Sequence, residues 1–457
     1  MAKASIADLR GSVRGQVITR EDPDYATARR VYNGMIDRRP QVVVRPADAA
    51  DVMSAVDYAR ENGLDLSVRG GSHSVPGFGT NDDGVVIDLS RMKGVRVDPL
   101  AQTARAEGGC TWGDFFHATY GFGAATTGGI ISTTGVGGLT LGGGIGHLSR
   151  GCGLSIDNLV SADVVTADGS FKVASEKQNP DLFWALRGGG GNFGVVTSFE
   201  YKLHPVKDVY VGLFFFELSA ARQILEFYRD YIEKAPEQMG AFFAFQIAPP
   251  LPFIPQNRHG ETLCLIVACW AGPLERGEKE LEPIRKAGPV AAQLVTPMPF
   301  PALNSAFDAL LPPGLQHYWK ASFATKISDG AIAAHLQHGP KVPVVNSTMH
   351  IYPINGACNR VKADATAFAY RDAKFATVIA GMWPEPADNG KNTQWVKDYY
   401  AGLQPHSAAG GYVNFMADDD QGRVRDNYKG NYERLAQIKK KYDPTNLFHI
   451  NQNIKPA

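Results

Sequence analysis

Apolar residues in the N-terminal part of the chain change their period, and each change predicts a new element. Residues 41–45 (QVVVR), 64–68 and 84–89 are short apolar runs typical of strands. Between the first two runs, apolar residues recur at helical spacing, from an N-cap at Asp48 to a glycine stop at Gly63. The pattern predicts a β-α-β unit, followed by a loop that leads into a third strand.

The next stretch predicts a long connection and then a strand-helix-strand series. Residues 126–153 are too many and too rich in glycine for a helix or an ordinary strand. Strands are predicted over 159–167 and 195–203, with a helix over 181–186 between them. The His204-Pro205 pair is a predicted domain boundary.

Strand-like apolar runs then alternate with amphipathic helices, and proline becomes frequent. The predicted strands include 209–216, 263–270, 349–354 and 377–382, and the predicted helices include 220–234 and 278–286. A last helix is predicted over 431–442, because its apolar residues share one face and Asp443-Pro444 ends it.

These elements predict an α+β chain of three segments. Residues 1–205 form the first part of one domain, and residues 206–410 form an inserted α+β domain with an antiparallel sheet covered by helices. Residues 411–457 are a C-terminal segment that returns to the first domain.

Composition excludes several classes of partner. Lys and Arg together number 46, as do Asp and Glu, so no basic excess indicates nucleic acid. No apolar run reaches the ~18 residues of a membrane span, and the N-terminal residues lack the apolar core of a secretory signal. The five cysteines are odd in number and lack a C-x-x-C pair, which disfavours a disulfide framework and a zinc site. We expect a cytoplasmic monomer or homodimer without a metal.

The glycine content is higher than usual, whereas the rest of the composition is ordinary for a globular protein. The chain has 49 glycines, with the excess between residues 108 and 194. Residues 189–194 (GGGNFG) contain G-x-G-x-x-G, but a predicted helix precedes them and a strand follows, the reverse of the dinucleotide-binding order. Residues 69–74 (RGGSHS) add a third glycine loop, with His73 able to act as acid, base, ligand or nucleophile.

One glycine loop by itself indicates a tight turn, but three loops in one region favour an extended phosphate ligand. Backbone N–H groups freed by glycine can approach such a ligand at several points, as a dinucleotide requires. Hydroxyl groups that could join them come from Ser72, Ser74, Thr133 and Thr134.

Five segments in order resemble the berberine bridge enzyme-like FAD-linked oxidases of the vanillyl-alcohol oxidase / p-cresol methylhydroxylase superfamily. The size resembles that of the family's bacterial 6-hydroxy-D-nicotine oxidase type. The segments are QVVVRPADAADV, VRGGSHS, TTGVGGLTLGGGIGHLSRGCGLSIDNL, DLFWALRGGGGNFGVVTSFEYKLHPV and YERLAQIKKKYDPTNLFHINQNI. The resemblance implies a p-cresol methylhydroxylase-type FAD-binding domain and FAD as the cofactor.

The resemblance implies how the flavin is attached. His73 stands where the family bonds the flavin 8α-methyl group, a role for a neutral imidazole acting as nucleophile. Many relatives attach the flavin a second time through a cysteine, whose place Ile131 takes here, and Cys152 does not match that place. We expect a single 8α-histidyl link. Thr134 replaces an apolar residue near flavin C4a, a pattern that resembles flavin-N5-oxide members.

The resemblance also assigns the remaining site residues. Tyr412 resembles the family's tyrosine that faces the substrate, and it is our candidate base. Thr134 is our candidate for a residue that influences the access of oxygen to the flavin. Predicted cofactor contacts are Arg69, Gly70, Gly71, Ser72, His73, Ser74, Thr133, Gly135, Gly138, Gly142, Gly143, Gly153, Val196, Asn414, Asn451 and Asn453. Weaker substrate candidates are Gln246, His350, Tyr352, Tyr370 and Arg371.

Three functions stay open. The first is an oxidase that passes a hydride from a C–OH or C–N carbon of a small molecule to flavin N5, with O₂ as acceptor. The second is a flavin-N5-oxide-type monooxygenase or a dehydrogenase with another acceptor, and the third is a redox-inactive flavin-binding protein. If the phenylalanines of residues 206–410 line the cleft, an aromatic or polycyclic substrate is favoured over a sugar.

Overall fold

The strands of the protein form three sheets. The structure is a computed structural model that describes residues 4–457, so the first residues of the N-terminal segment lie outside the described part. The strands are β1 (Gln16–Thr19), β2 (Val42–Arg45), β3 (Leu66–Arg69), β4 (Val85–Asp88), β5 (Val95–Asp98), β6 (Thr103–Glu107), β7 (Leu159–Val165), β8 (Phe171–Ser175), β9 (Val195–Lys202), β10 (Asp208–Phe216), β11 (Met239–Ile247), β12 (Thr262–Trp270), β13 (Val290–Pro299), β14 (Gln316–Ala324), β15 (Thr348–Pro353) and β16 (Phe375–Trp383).

Helices cover the sheets and connect them. Their bounds are α1 (Ile6–Ser12), α2 (Tyr25–Ala28), α3 (Ala49–Asn62), α4 (Trp112–Tyr120), α5 (Val136–Leu141), α6 (Ser149–Cys152), α7 (Pro180–Leu186), α8 (Ala221–Lys234), α9 (Gly277–Arg285), α10 (Phe300–Ser305), α11 (Asp329–His338), α12 (Ala357–Arg360), α13 (Asn389–Leu403), α14 (Val424–Tyr428) and α15 (Tyr432–Tyr442).

The first sheet contains the predicted β-α-β unit. Its strand order is β1-β2-β4-β3, with β4 parallel to both β2 and β3. Helix α3 begins as predicted, because the Asp48 carboxylate accepts hydrogen bonds from the N–H groups of Ala50 and Asp51, and it ends at Gly63 with φ of 64°. The Asp51 carboxylate accepts from the N–H groups of Arg14 and Gly15, both at 2.8 Å, so it also anchors the N-terminal segment.

The second sheet is antiparallel, in the order β5-β6-β9-β7-β8. The predicted order around the GGGNFG loop is confirmed, since α7 precedes it and β9 follows. The prediction that residues 126–153 contain no helix was wrong, because α5 and α6 lie within them. Glycine is used in α5 for close packing: a Cβ on Gly137 would lie 3.2 Å from the Phe199 ring of β9.

The third sheet is antiparallel, in the order β13-β10-β12-β11-β15-β16-β14, and its two faces differ. Helices α8, α9, α11 and α13 pack on one face, where alternate strand residues such as Phe214, Phe243 and Ile266 meet helix residues such as Ile224 and Val396. Each such residue stabilises the fold by about 1.5–3 kcal/mol when fully buried. The other face looks toward the first two sheets, and this confirms the predicted α+β class with helices on an antiparallel sheet.

The described helices bear on the expectation about membrane spans, and the strands bear on the predicted domain boundaries. Within residues 4–457, no helix combines the length and the apolar character that crossing a membrane requires. The third sheet takes all its strands from residues 208–383. This supports our proposal that domain boundaries lie near residues 205 and 410.

A buried ion pair holds the C-terminal segment. Lys439 of α15 and Asp443 are both fully buried and lie 2.6 Å apart. The Lys439 ammonium also donates to the carbonyl oxygens of Asn192 at 2.7 Å and Phe448 at 2.8 Å. Burial lowers the pKa of Lys439, and Asp443 opposes that shift. The pair thereby joins α15 to the glycine loop that ends before β9.

We expect Lys439→Met to destabilise the protein strongly, because it leaves the Asp443 carboxylate buried without its cation. Removing one partner of a buried pair costs about 3–5 kcal/mol, and the midpoint of urea unfolding should fall accordingly. Lys440→Met is the matched control, since Lys440 is exposed on the same helix and should change the midpoint little. Equal midpoints for the two variants would show that the buried Lys439–Asp443 pair does not stabilise the fold.

Candidate active site

A cavity of about 390 Å³ lies between the glycine loops and the third sheet. One wall consists of glycine-rich loop segments. They include Gly70–Ser74, Gly135, Gly137–Leu139 and Gly190–Asn192. The opposite wall is the helix-free face of the third sheet. Its side chains come from alternate strand positions: Leu213, Phe215, Phe242, Gln246, Leu265, Val267, His317, Trp319, Thr348, His350, Tyr352, Val378, Ala380 and Met382.

The RGGSHS loop contacts the second glycine loop backbone to backbone. A Cβ on Gly71 would lie 2.1 Å from the Gly135 nitrogen, and a Cβ on Gly135 would lie 2.3 Å from the Gly71 nitrogen. Ser72 has a left-handed φ of 67°. Arg69 is buried and paired with Asp88 at 2.8 Å, so its guanidinium fixes the start of the loop and is not free for a phosphate.

His73 points into the cavity with its ring held from three sides. Its Nε2 atom lies 2.9 Å from the Thr133 hydroxyl, and its Nδ1 atom lies 3.5 Å from the Thr134 hydroxyl. The Tyr32 ring stacks on the imidazole with 3.9 Å between ring centroids. Burial lowers the pKa of His73 to about 4, so the imidazole is neutral at physiological pH and retains a nucleophilic lone pair.

The glycine wall has room and unused polar groups for an extended ligand. A Cβ on Gly138 or Gly191 would meet no atom within 4 Å, so the backbone faces open space there. The amide group of Gln452 and the carbonyl oxygen of the Asn451 side chain are buried and make no hydrogen bond within residues 4–457. Buried polar atoms normally have partners, so these atoms indicate a bound molecule.

Most of the predicted cofactor residues line this cavity. They are Arg69, Gly70, Gly71, Ser72, His73, Ser74, Thr134, Gly135, Gly138, Val196, Asn414 and Asn451. Thr133 touches the site through its contact with His73.

The other predicted cofactor residues are not among those that line this cavity. Gly142, Gly143 and Gly153 leave room for neighbouring side chains instead of a ligand. A Cβ on Gly142 would lie 2.1 Å from the Asn414 side chain, and a Cβ on Gly153 would lie 2.9 Å from that of Asp157. Asn453 is likewise absent from the described cavity wall.

Tyr412 does not face the cavity either. Its side chain is buried behind Asn414 and Phe415, and its hydroxyl oxygen accepts hydrogen bonds from Gly144 N–H at 2.7 Å and from the Asn414 amide at 2.9 Å. Burial raises the pKa of Tyr412 to about 12, although these donors oppose the shift. The geometry therefore supports a positioning role for Tyr412 and gives no support to the predicted base.

Three of the weaker substrate candidates lie on the cavity wall. Gln246, His350 and Tyr352 face the cavity, and His350 Nδ1 lies 2.5 Å from the Tyr352 hydroxyl. Burial lowers the pKa of His350 to about 3 and raises the pKa of Tyr352. Tyr370 and Arg371 are structural instead: the Tyr370 hydroxyl donates to the Asp426 carbonyl oxygen, and Arg371 pairs with Asp157 at 2.7 Å.

Sequence reasoning missed several polar side chains of the cavity wall, among them those of His317 and Trp319. His317 and Trp319 occupy alternate positions of β14 and face the cavity beside Tyr32. Neither ring nitrogen of His317 nor the Trp319 indole N–H has a partner within the described residues. The alternation of β14 puts the two residues on one face, because strand positions two apart share a face, but it does not say that this face looks at the cavity.

Two family matches cover segments that contribute to this cavity. Residues 40–175 match an FAD-binding domain, and residues 411–455 match the family described as "Berberine and berberine like". The first match contains the His73 loop, and the second contains Tyr412, Asn414, Asn451 and Lys439.

Curated relatives match over nearly the whole chain. An FAD-linked oxidoreductase of Dictyostelium discoideum is 32% identical over 449 residues, which are 97% of this chain and 95% of that protein. The (R)-6-hydroxynicotine oxidase of Paenarthrobacter nicotinovorans is 28% identical, with 97% of each chain covered.

Solved structures agree with these relatives. The 6-hydroxy-D-nicotine oxidase of Arthrobacter nicotinovorans has a TM-score of 0.85 and 26% identity, covering 98% of this chain and 99% of that one. Glucooligosaccharide oxidase of Acremonium strictum shares the fold, with a TM-score of 0.86 and 23% identity over 99% of this chain and 100% of that one. The chain therefore belongs to the berberine bridge enzyme-like family, and it is an FAD-linked oxidoreductase.

Proposed function

We propose that FAD is joined to this protein by a single covalent bond to His73, and that the enzyme oxidises a small uncharged molecule at a C–OH or C–N carbon with O₂ as acceptor. The observation that carries the proposal is the neutral His73 imidazole on a cavity wall, opposite a mostly apolar sheet face. The glucooligosaccharide oxidase that shares the fold carries a histidyl and cysteinyl FAD, which supports a histidyl link as chemically accessible to this fold.

The residues of the glycine wall fit FAD. Open backbone at Gly138 and Gly191 and the unused polar atoms of Asn451 and Gln452 would hold the cofactor along its length. When bound, the flavin supplies the acceptor for a hydride from the substrate. The protein supplies binding, orientation and the exclusion of water.

A second covalent link through cysteine has no support in the cavity. Ile131, which occupies the family's cysteine position, lines the cavity, whereas Cys152 does not. Among the described residues of the cavity wall, none is a cysteine. Burial also raises the pKa of the Cys152 thiol to about 11, so its nucleophilic thiolate is scarce at neutral pH.

The sheet face indicates the class of substrate. Arg69 is the one residue with a formal charge among the described residues of the cavity wall, and its charge is already paired with Asp88. A charged substrate would be buried without a counter-ion. Phe215, Phe242 and Trp319 instead favour a neutral aromatic or polycyclic molecule.

The polar pair Tyr352–His350 is our proposed substrate-orienting group. It lies on the cavity wall, with the Tyr352 ring 5.2 Å from that of Phe242 and 6.1 Å from that of Phe415. A substrate O–H or N–H can donate a hydrogen bond to the Tyr352 oxygen while the Tyr352 hydroxyl donates to His350 Nδ1. This hydrogen bond would hold the reacting carbon of the substrate toward the flavin.

The covalent link should depend on His73 alone. His73→Ala should abolish the flavin fluorescence that survives acid precipitation and denaturing electrophoresis, because the proposal assigns the bond to the His73 imidazole alone. Cys152→Ala is the matched control and should retain the full signal. Covalent fluorescence in His73→Ala would refute the assignment.

The rate of covalent attachment should stay constant from pH 8 to pH 5.5. With a pKa of about 4, His73 remains neutral over this range, and the neighbouring His317 also does, with a pKa of about 3. An imidazole with an ordinary pKa near 6.5 would be only about 9% neutral at pH 5.5. Full-length protein produced under riboflavin limitation and mixed with FAD gives this rate by in-gel fluorescence. A tenfold fall at pH 5.5 would contradict a depressed pKa.

An anaerobic substrate panel tests the reaction. Neutral aromatic alcohols and amines should bleach the flavin absorbance, whereas aromatic carboxylates should not, because the cavity offers no counter-ion to their charge. Oligosaccharides should not bleach it either, because the aromatic side chains of the sheet face favour an apolar ring. Tyr352→Phe should slow bleaching about tenfold, through the loss of one hydrogen bond that orients the substrate. Release of H₂O₂ on adding air identifies an oxidase, and its absence identifies a dehydrogenase. Bleaching by oligosaccharides alone would overturn the substrate class.

A further inference from the structure

We propose that Thr133 is a positioning residue for cofactor attachment, because its hydroxyl holds the Nε2–H group of His73 and thereby leaves Nδ1 as the bonding nitrogen. The inference rests on the proposed covalent link at His73. It concerns how this chain prepares the imidazole, which the link alone does not specify.

The two ring nitrogens of His73 have different surroundings. Nε2 lies 2.9 Å from the Thr133 oxygen, a full hydrogen bond, whereas Nδ1 has only the longer 3.5 Å approach of the Thr134 hydroxyl. In a neutral imidazole one nitrogen carries the proton and the other carries the free lone pair. A hydroxyl oxygen that accepts from Nε2 keeps the proton there, so the lone pair is on Nδ1.

The plane of the imidazole is also set before the cofactor is attached. Tyr32 stacks on it with an interplanar angle of 20°, and the Tyr32 hydroxyl donates in turn to the carbonyl oxygen of Leu311. Stacking sets the plane of the ring but still permits its 180° flip about the Cβ–Cγ bond. The Thr133 hydrogen bond to Nε2 selects one of the two flipped positions, so the stack and the hydrogen bond together define the direction of Nδ1.

The loop that carries Thr133 is itself held in place. Ser132 N–H donates to the Asp308 carboxylate at 3.1 Å, and the Ser132 hydroxyl makes a second, shorter contact with the same group. On the other side, the backbone contact between Gly71 and Gly135 fixes the spacing between this loop and the loop of His73. The position of the hydroxyl is therefore a property of the fold.

The attachment balances with dioxygen as the oxidant. A bond forms between His73 Nδ1 and the 8α carbon, while one proton leaves that carbon and one leaves the imidazole. The two electrons released go to the flavin and then to O₂, which takes both protons to give H₂O₂. The Nε2–H group is the proton that the imidazole loses, and the Thr133 oxygen is its acceptor partner until bond formation.

The test compares Thr133→Val with Thr133→Ser in full-length protein produced under riboflavin limitation. After mixing with FAD, Thr133→Val should bind the flavin but attach it at least tenfold more slowly than the unaltered protein. Thr133→Ser restores a hydroxyl and should attach the flavin at the unaltered rate. Thr393→Val, a half-exposed threonine of α13, is the matched control and should change nothing.

A second measurement does not depend on attachment. The measurement is the ¹⁵N NMR spectrum of apoprotein labelled with ¹⁵N-histidine, in which the His73 signal is assigned by its loss in His73→Gln. In the unaltered protein this signal should report a proton on Nε2. In Thr133→Val it should report a mixture of both tautomers. Attachment by Thr133→Val at the unaltered rate, or by Thr133→Ser as slowly as by Thr133→Val, would overturn the proposal. If His73→Ala kept its covalent flavin, the proposed function would fail as well.

Discussion

The active site depends on one contact, the packing of two glycine loops against each other through their backbones. Gly71 and Gly135 approach so closely that a methyl group on either would overlap the nitrogen of the other. This approach brings the loop of His73 beside the loop of Thr133, so the imidazole lies within hydrogen-bond distance of the Thr133 hydroxyl. The third sheet then needs only to cover the cavity, and a sheet covered by helices on its other face provides a rigid wall.

The elements that were predictable from sequence are those with local signals. Helix α3 has an aspartate cap and a glycine stop, and the structure places both as predicted. Helix α5 was missed because Gly137 lowers helix propensity but is needed for contact with Phe199, a requirement that only the packed structure reveals. Strand β13 lacks such a local signal. It contains Pro297, which argues against a central strand, and only the sheet order shows that β13 lies at an edge.

The residues of the site also fall into those that have a local sequence signal and those that do not. The glycine loops and His73 form contiguous motifs, so the resemblance to the family found them. The substrate wall comes from alternate positions of six strands, and nothing in one strand says which of its two faces looks at the cavity. His317 and Trp319 were missed for this reason. The motif around Tyr412 does not say where its hydroxyl points, and that hydroxyl turns toward Gly144.

The ion pair Lys439–Asp443 makes the cavity wall depend on the C-terminal segment. It holds the Asn192 carbonyl oxygen, and the Asn192 side chain bonds the backbone at Gln452 and Ile454. Phe448, Ile450, Asn451 and Gln452 are part of the cavity wall. The wall is therefore incomplete until these residues have packed against the glycine loops, so a protein able to hold FAD is one whose C-terminal segment has already folded into place.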